Sequence, residues 1–143
     1  MTGSVAESLV FDVLDTDLQF SATTVPDENP EMVKRFLEEL PFTSVLGHVV
    51  ISGEGFWAPM RIVALGKYPK VQRTQGSVYF YSAGQSLCFT YGVITESALV
   101  NKIAQVPKSQ FDVLSEVGRL VWRRTVTDNR RSSVRVQIRR EAS

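Results

Sequence analysis

Two apolar periodicities alternate along this chain, and the places where one gives way to the other lay out its elements. Residues 9–13 (Leu-Val-Phe-Asp-Val) and 18–22 (Leu-Gln-Phe-Ser-Ala) are short strand-like runs around Asp15-Thr16-Asp17, which predicts a β-hairpin. Asn29-Pro30 then predicts a helix start, with Asn as N-cap, Pro at the first helical position and Glu31 in the first turn. Met32, Val33, Phe36, Leu37 and Leu40 recur at helical spacing on one apolar face, and Pro41 stops the helix.

Strands are expected next at residues 44–52 and 56–64, with Val49, Val50 and Ile51 as a buried run. Gly53 and Gly55 interrupt this pattern, and glycine inside a strand marks a bulge or a close backbone approach. Residues 66–76 read as a polar loop carrying Lys67, Lys70, Gln72 and Arg73. A second hairpin joins residues 77–81 to 86–91 across Ser82-Ala-Gly-Gln. Alternation puts Val78 and Phe80 on one face of its first strand and Tyr79 and Tyr81 on the other. Both faces are apolar or aromatic, as expected where one fills a core and the other lines a cavity or is covered.

Residues 100–106 are a further strand, and Ser109-Gln-Phe-Asp is a capping box before Phe111, Leu114, Val117 and Val121, a helix ending near Arg124. Residues 128–132 form a loop, and 133–139 (Ser-Val-Arg-Val-Gln-Ile-Arg) alternate cleanly as a last strand. About eight strands with two helices between them predict one domain over residues 1–143. Its expected fold is mainly β, a closed antiparallel barrel with helices capping its ends.

Composition narrows the function. No run approaches the about 20 apolar residues of a membrane helix, and the N-terminus lacks a secretory pattern, which predicts a soluble, cytoplasmic protein with no membrane partner. Cys88 and His48 are the only cysteine and histidine, too few for a typical metal site. No phosphate loop or dinucleotide fingerprint is present, so no cofactor is expected. The net charge of +1 hides an asymmetry: residues 1–60 hold two basic side chains against ten acidic ones, and the remainder fourteen against five. No aromatic residue interleaves the arginines after Trp122, so the basic excess is expected to meet the acidic half, within the chain or in a homo-oligomer, rather than nucleic acid.

The string Gly76-Ser-Val-Tyr-Phe-Tyr-Ser-Ala-Gly-Gln-Ser-Leu-Cys-Phe-Thr-Tyr-Gly resembles the small bacterial cyclophilin-like family, whose pattern it meets at Gly76, Val78, Gly84, Leu87, Tyr91 and Gly92. Ser82 stands at or near the usual proline, and the resemblance extends over roughly residues 8–140. Prolyl isomerases of this fold rely on an arginine followed by Phe-Met-x-Gln. The corresponding stretch here, Val-Val-Ile-Ser-Gly-Glu-Gly-Phe-Trp, lacks both the arginine and the glutamine, which argues against that activity. The same fold group takes in cucumopine synthase and a Pictet–Spengler enzyme of streptonigrin-type antibiotic biosynthesis, both of which condense an amine with a carbonyl compound.

That resemblance implies a cofactor-independent cyclase joining an aromatic, tryptophan-like amine or amino acid to an aldehyde or keto acid. The alternatives are a non-catalytic small-molecule binding protein and another cofactor-free lyase or isomerase. A Pictet–Spengler ring closure needs an aromatic platform and a base for the ring proton. Glu54, between two glycines and beside Phe56 and Trp57, is either an exposed turn residue or the pocket base, its pKa raised by those aromatics. Tyr81 and His48 complete the candidate catalytic set, although His48, beside the Val-Val-Ile run, reads more readily as a core or supporting residue. Phe56, Trp57, Tyr79, Cys88, Phe89 and Arg73 are the candidate substrate contacts. Each has its plainer reading, Cys88 as an apolar filler and Arg73 as part of a solvated loop.

Overall fold

Asp15 adopts φ 63°, a left-handed conformation that Asp tolerates, and the Thr16 hydroxyl donates to the Val13 carbonyl at 2.7 Å while accepting the Leu18 N–H at 3.0 Å. This turn joins β1 (Ser8–Val13) to β2 (Gln19–Thr24) as an antiparallel hairpin. The structure, a computed structural model, describes residues 5–50, 53–62 and 66–141. After the hairpin come α1 (Pro30–Glu38), β3 (Phe42–His48), β4 (Gly53–Pro59), β5 (Val71–Gln72), β6 (Ser77–Tyr81), β7 (Ser86–Ile94), β8 (Leu99–Gln105), α2 (Phe111–Trp122) and β9 (Val134–Arg140).

The strands run in the order β2-β1-β9-β3-β4-β7-β6-β8, every pairing antiparallel, and β2 pairs back onto β8 through Thr23–Gln105 and Thr24–Ala104. The result is the closed eight-stranded barrel expected from the strand tally, with short β5 added to β8 outside the ring. β9 lies between β1 and β3, so the first hairpin and the last strand share one sheet despite their separation in sequence. Arg135, Arg139 and Arg140 of β9 pair with Asp15, Asp12 and Glu7 at 2.6, 2.8 and 3.2 Å, joining part of the basic C-terminal third to the acidic N-terminal half.

An eight-stranded barrel encloses a space just wide enough for side chains to fill. Here Phe11, Phe20, Phe56 and Phe89 fill it, with Phe11 stacked on Phe20 and Phe56 on Phe89, both pairs at 4.7 Å. Phe20 meets Phe89 edge to face at 5.8 Å. The interior is therefore a packed core, and α1 (Met32, Val33, Phe36) and α2 (Leu114, Val117, Val121) bury their apolar faces against the barrel.

Several local expectations change. β3 ends at His48 and is followed by a part-buried Val49 and an exposed Val50, so these two valines are not a buried strand; residues 51–52 and 63–65 lie outside the described residues. β4 begins at Gly53 rather than at Phe56, because the two glycines lie inside the strand as a bulge. The Asn29 side chain is buried and makes no capping bond. Ser109 lies in a 3₁₀ turn, and Gln110 holds the N-cap position of α2 while its side-chain oxygen accepts the Ser21 N–H at 2.7 Å. The predicted capping box thus yields to a tertiary hydrogen bond. Past Trp122, α2 runs on as one π-type turn, Arg123–Thr127.

Candidate functional site

With the interior filled, the chemistry has to lie outside the ring. Register aligns one outward side chain per strand across the sheet: Gly47 of β3 faces Trp57 of β4, Trp57 faces Cys88 of β7, Cys88 faces Tyr79 of β6, and Tyr79 faces Lys102 of β8. Gly47 belongs to this row because a Cβ there would fall 2.7 Å from the Trp57 ring. Trp57, Cys88 and Tyr79 are thus the floor of an outer-face cleft of about 590 Å³, with Val49, Arg73, Tyr81 and Leu99 among its walls.

Arg73 reaches the cleft because its segment folds back over the sheet. β5 pairs with β8, the Arg73 N–H donates to the Ala98 carbonyl at 2.9 Å, and Gly76 turns the chain at φ 86°. The residue is only 7 % exposed, so the expected solvated loop residue is a buried cation. Its guanidinium donates to the Glu96 carbonyl and, at 3.5 Å, toward the Tyr79 hydroxyl. Burial raises the Tyr79 pKa, against the opposing hydrogen bond and charge of Arg73, and pushes the Cys88 thiol up to about 11, against the opposing effects of the Tyr79 hydrogen bond and the Arg73 charge. At neutral pH the Cys88 thiol is protonated and is no nucleophile.

A narrow recess shares Val49, Arg73, Tyr79 and Cys88 with the cleft and is also lined by Glu54, Phe56 and Phe89. Phe56 and Phe89 back it from the core, so they are not open contact surfaces of the cleft. Glu54 itself is exposed, and its Oε1 accepts the Val93 N–H at 2.8 Å. The desolvation expected from Phe56 and Trp57 does not occur. The bulge between Gly53 and Gly55 shifts register, Phe56 turns inward, and Trp57 lies over Gly47 on the outer face.

His48 does not line the cleft. It joins Tyr91 and Trp122, with ring centroids 5.5 and 4.8 Å away, in a half-buried cluster against α2. Tyr81, 56 % exposed, stands at the cleft rim with its ring over Gly84. The fold therefore brings Trp57, Tyr79, Tyr81, Cys88 and Arg73 together and places Glu54 on the adjoining recess. It sets His48 apart with Tyr91 and Trp122, which sequence reading passed over. Tyr91 stood in the matched family pattern, but its partner His48 is 43 positions away and no local signal links them. Among the described residues no three His, Cys, Asp or Glu side chains form a metal-ligating group, and no helix is long and apolar enough to cross a membrane.

The fold and site define a closed antiparallel barrel with an aromatic, cation-bearing cleft on its outer face. The solved structure of McbB in complex with tryptophan is similar, with TM-score 0.81 and 22 % identity over 94 % of this chain. The match covers 45 % of the McbB chain, so the present chain spans about half its length. The solution structure of the hypothetical protein AF2241 from Archaeoglobus fulgidus is similar over 96 % of both chains, with TM-score 0.64 and 16 % identity. At these identities the likeness is one of fold. No family model and no curated protein sequence matches the chain.

Proposed function

We propose that this protein belongs with the cyclophilin-like cyclases and condenses an aromatic amine or amino acid with an aldehyde or keto acid in a Pictet–Spengler reaction. The observation that carries the reading is the row Trp57–Cys88–Tyr79 flanked by the buried Arg73 guanidinium, with Glu54 on the recess that opens from it. A solved neighbour of the same fold holds tryptophan, which supports a substrate of that kind.

Trp57 and Tyr79 offer faces for an indole-sized ring, each aromatic pair adding about 0.5–1.5 kcal/mol beyond its area. Arg73 pairs with the carboxylate of an amino acid or keto acid. Tyr81 at the rim donates a hydrogen bond to the carbonyl-derived group, and the neutral Cys88 thiol is an apolar part of the floor. The protonated amine and the carbonyl lose one water to give the iminium ion, and the ring carbon attacks the iminium carbon. Glu54 then takes the proton from that ring carbon, and the electron pair of the broken C–H bond restores aromaticity. The sequence is redox-neutral, and positioned general bases contribute about 10²–10⁴-fold.

One observation favours a second reading, a binding protein with the same cleft: the Glu54 carboxylate is engaged by the Val93 N–H and is open to solvent. Incubation with tryptophan-like amines and small aldehydes, followed by mass and chirality, separates the two. A stereoselective ring product lost about 100-fold or more in Glu54→Gln supports the cyclase. Tight ligand binding with no product from any pair supports the binding protein.

A further inference from the structure

The outer-face cleft carries one acid and one base. Among the described residues that line it, Glu96 is the only acidic side chain and Arg73 the only basic one, in a wall that is otherwise mostly aromatic or apolar. A pocket of this make-up takes an apolar body and fixes its orientation through a few charged or polar groups. Glu54, by contrast, lines the adjoining recess and not the cleft itself, and its Oε1 already accepts the Val93 N–H at 2.8 Å.

The backbone sets the two charged residues side by side. Glu96 lies in the connection between β7 and β8, which bends at residues 95–96 before β8 begins at Leu99. Arg73 clamps that connection twice: its N–H donates to the Ala98 carbonyl at 2.9 Å, and its guanidinium donates to the Glu96 carbonyl. Among the described residues the exposed Glu96 carboxylate accepts no hydrogen bond and joins no ion pair. A cation and an anion on neighbouring walls of an aromatic cleft match an aromatic α-amino acid, whose ammonium and carboxylate share one carbon.

We propose that Glu96 binds the α-ammonium group of an aromatic amino acid whose carboxylate pairs with Arg73, and that it frees this amine for condensation. This rests on the reading of the cleft as a cyclase site. An ammonium group has no lone pair with which to attack a carbonyl, so Glu96 first accepts one of its protons. The nitrogen pair then attacks the carbonyl carbon, and a nitrogen proton passes to the oxygen. Glu96 returns its proton to the resulting hydroxyl, which leaves as water and gives the iminium ion. Glu54 acts afterwards, on the ring proton, so the two carboxylates serve two separate steps.

The test compares Glu96→Gln, Arg73→Gln and Glu54→Gln with the wild type. Calorimetry is run with tryptophan, with tryptamine, which lacks the carboxylate, and with indole-3-propionate, which lacks the amine. Glu96→Gln should weaken tryptophan and tryptamine by about tenfold and leave indole-3-propionate no weaker. Arg73→Gln should weaken tryptophan and indole-3-propionate and spare tryptamine. Turnover is then followed from free amine plus aldehyde and from their preformed imine. Glu96→Gln should lose about 100-fold from the free amine at neutral pH and stay within about twofold of wild type from the imine, whereas Glu54→Gln should lose as much from both. Ligand binding unmoved by Glu96→Gln, an equal loss for all three ligands, or a loss from the imine as large as from the amine would overturn the proposal. Should no amine–carbonyl pair react, the cyclase reading falls by itself, and the three-ligand pattern still decides whether Glu96 holds the amine. If Arg73→Gln does not fold, Glu96→Gln, at an exposed position, decides it alone.

Discussion

Gly92→Ala tests the placement of Glu54 without touching its chemistry. A Cβ at this position would lie 2.2 Å from Glu54 Oε1, 3.1 Å from its Cδ and 3.3 Å from its Cβ. An ordinary carbon–oxygen contact is about 3.3–3.6 Å, so the carboxylate has to withdraw by roughly 1 Å or more. The obstacle is the far end of a flexible side chain, and the backbone of Gly92 is not in the left-handed region, so the strand can accept alanine. Withdrawal releases the Val93 N–H, which now donates to Glu54 Oε1 at 2.8 Å. Because Glu54 is exposed, water replaces that bond, and stability should fall by about 1 kcal/mol or less, about 3 °C in Tm. A displacement of this size costs on the order of 100-fold when the group is catalytic, about 2.7 kcal/mol of barrier. The assay is chiral chromatography with mass detection for turnover, a thermal melt for the fold, calorimetry for the amine, and the Val93 amide resonance for the displacement. Full turnover in a variant whose Val93 amide has lost its partner would refute the argument that Glu54 must stand where it does.

Three further outcomes are expected. The two adjacent aromatics should separate cleanly: Phe56→Ala, in the core, destabilises by about 3–5 kcal/mol, whereas Trp57→Ala, on the outer face, leaves the melt nearly unchanged and weakens aromatic ligand binding about tenfold by calorimetry. Arg73→Gln should weaken binding of a tryptophan-like amino acid by about tenfold or more and leave the corresponding decarboxylated amine within about twofold; equal losses for both would remove the carboxylate contact. The Arg139 hydrogen bond lowers the Asp12 pKa from 3.8, so the pair's stabilisation is fully present above that value and is lost as pH falls through the lower folded value. Asp12→Asn should therefore be less stable than wild type at pH 7 and lose less stability between pH 4 and acid, read by chemical denaturation across that range.

Period-two alternation and turn chemistry were enough to place the first hairpin, the β6–β7 hairpin and β9, and helical spacing the apolar face of α1, because each depends on neighbours close in sequence. They also indicated that one face of β6 would fill a core and the other line a cavity or be covered; Val78 and Phe80 point inward, and Tyr79 lines the outer cleft. What Glu54, Phe56 and Trp57 face was not legible, because a bulge at Gly53–Gly55 slips the register, and a one-residue slip exchanges the two faces of a strand. Ring closure through β2 and β8 filled the interior with Phe11, Phe20, Phe56 and Phe89 and left the outer face as the place for a site. The burial of Arg73 and the His48–Tyr91 bond belong to the tertiary structure alone. The first needs β5 folded onto β8 and the second joins strands 43 residues apart, contacts that exist only once the barrel has closed.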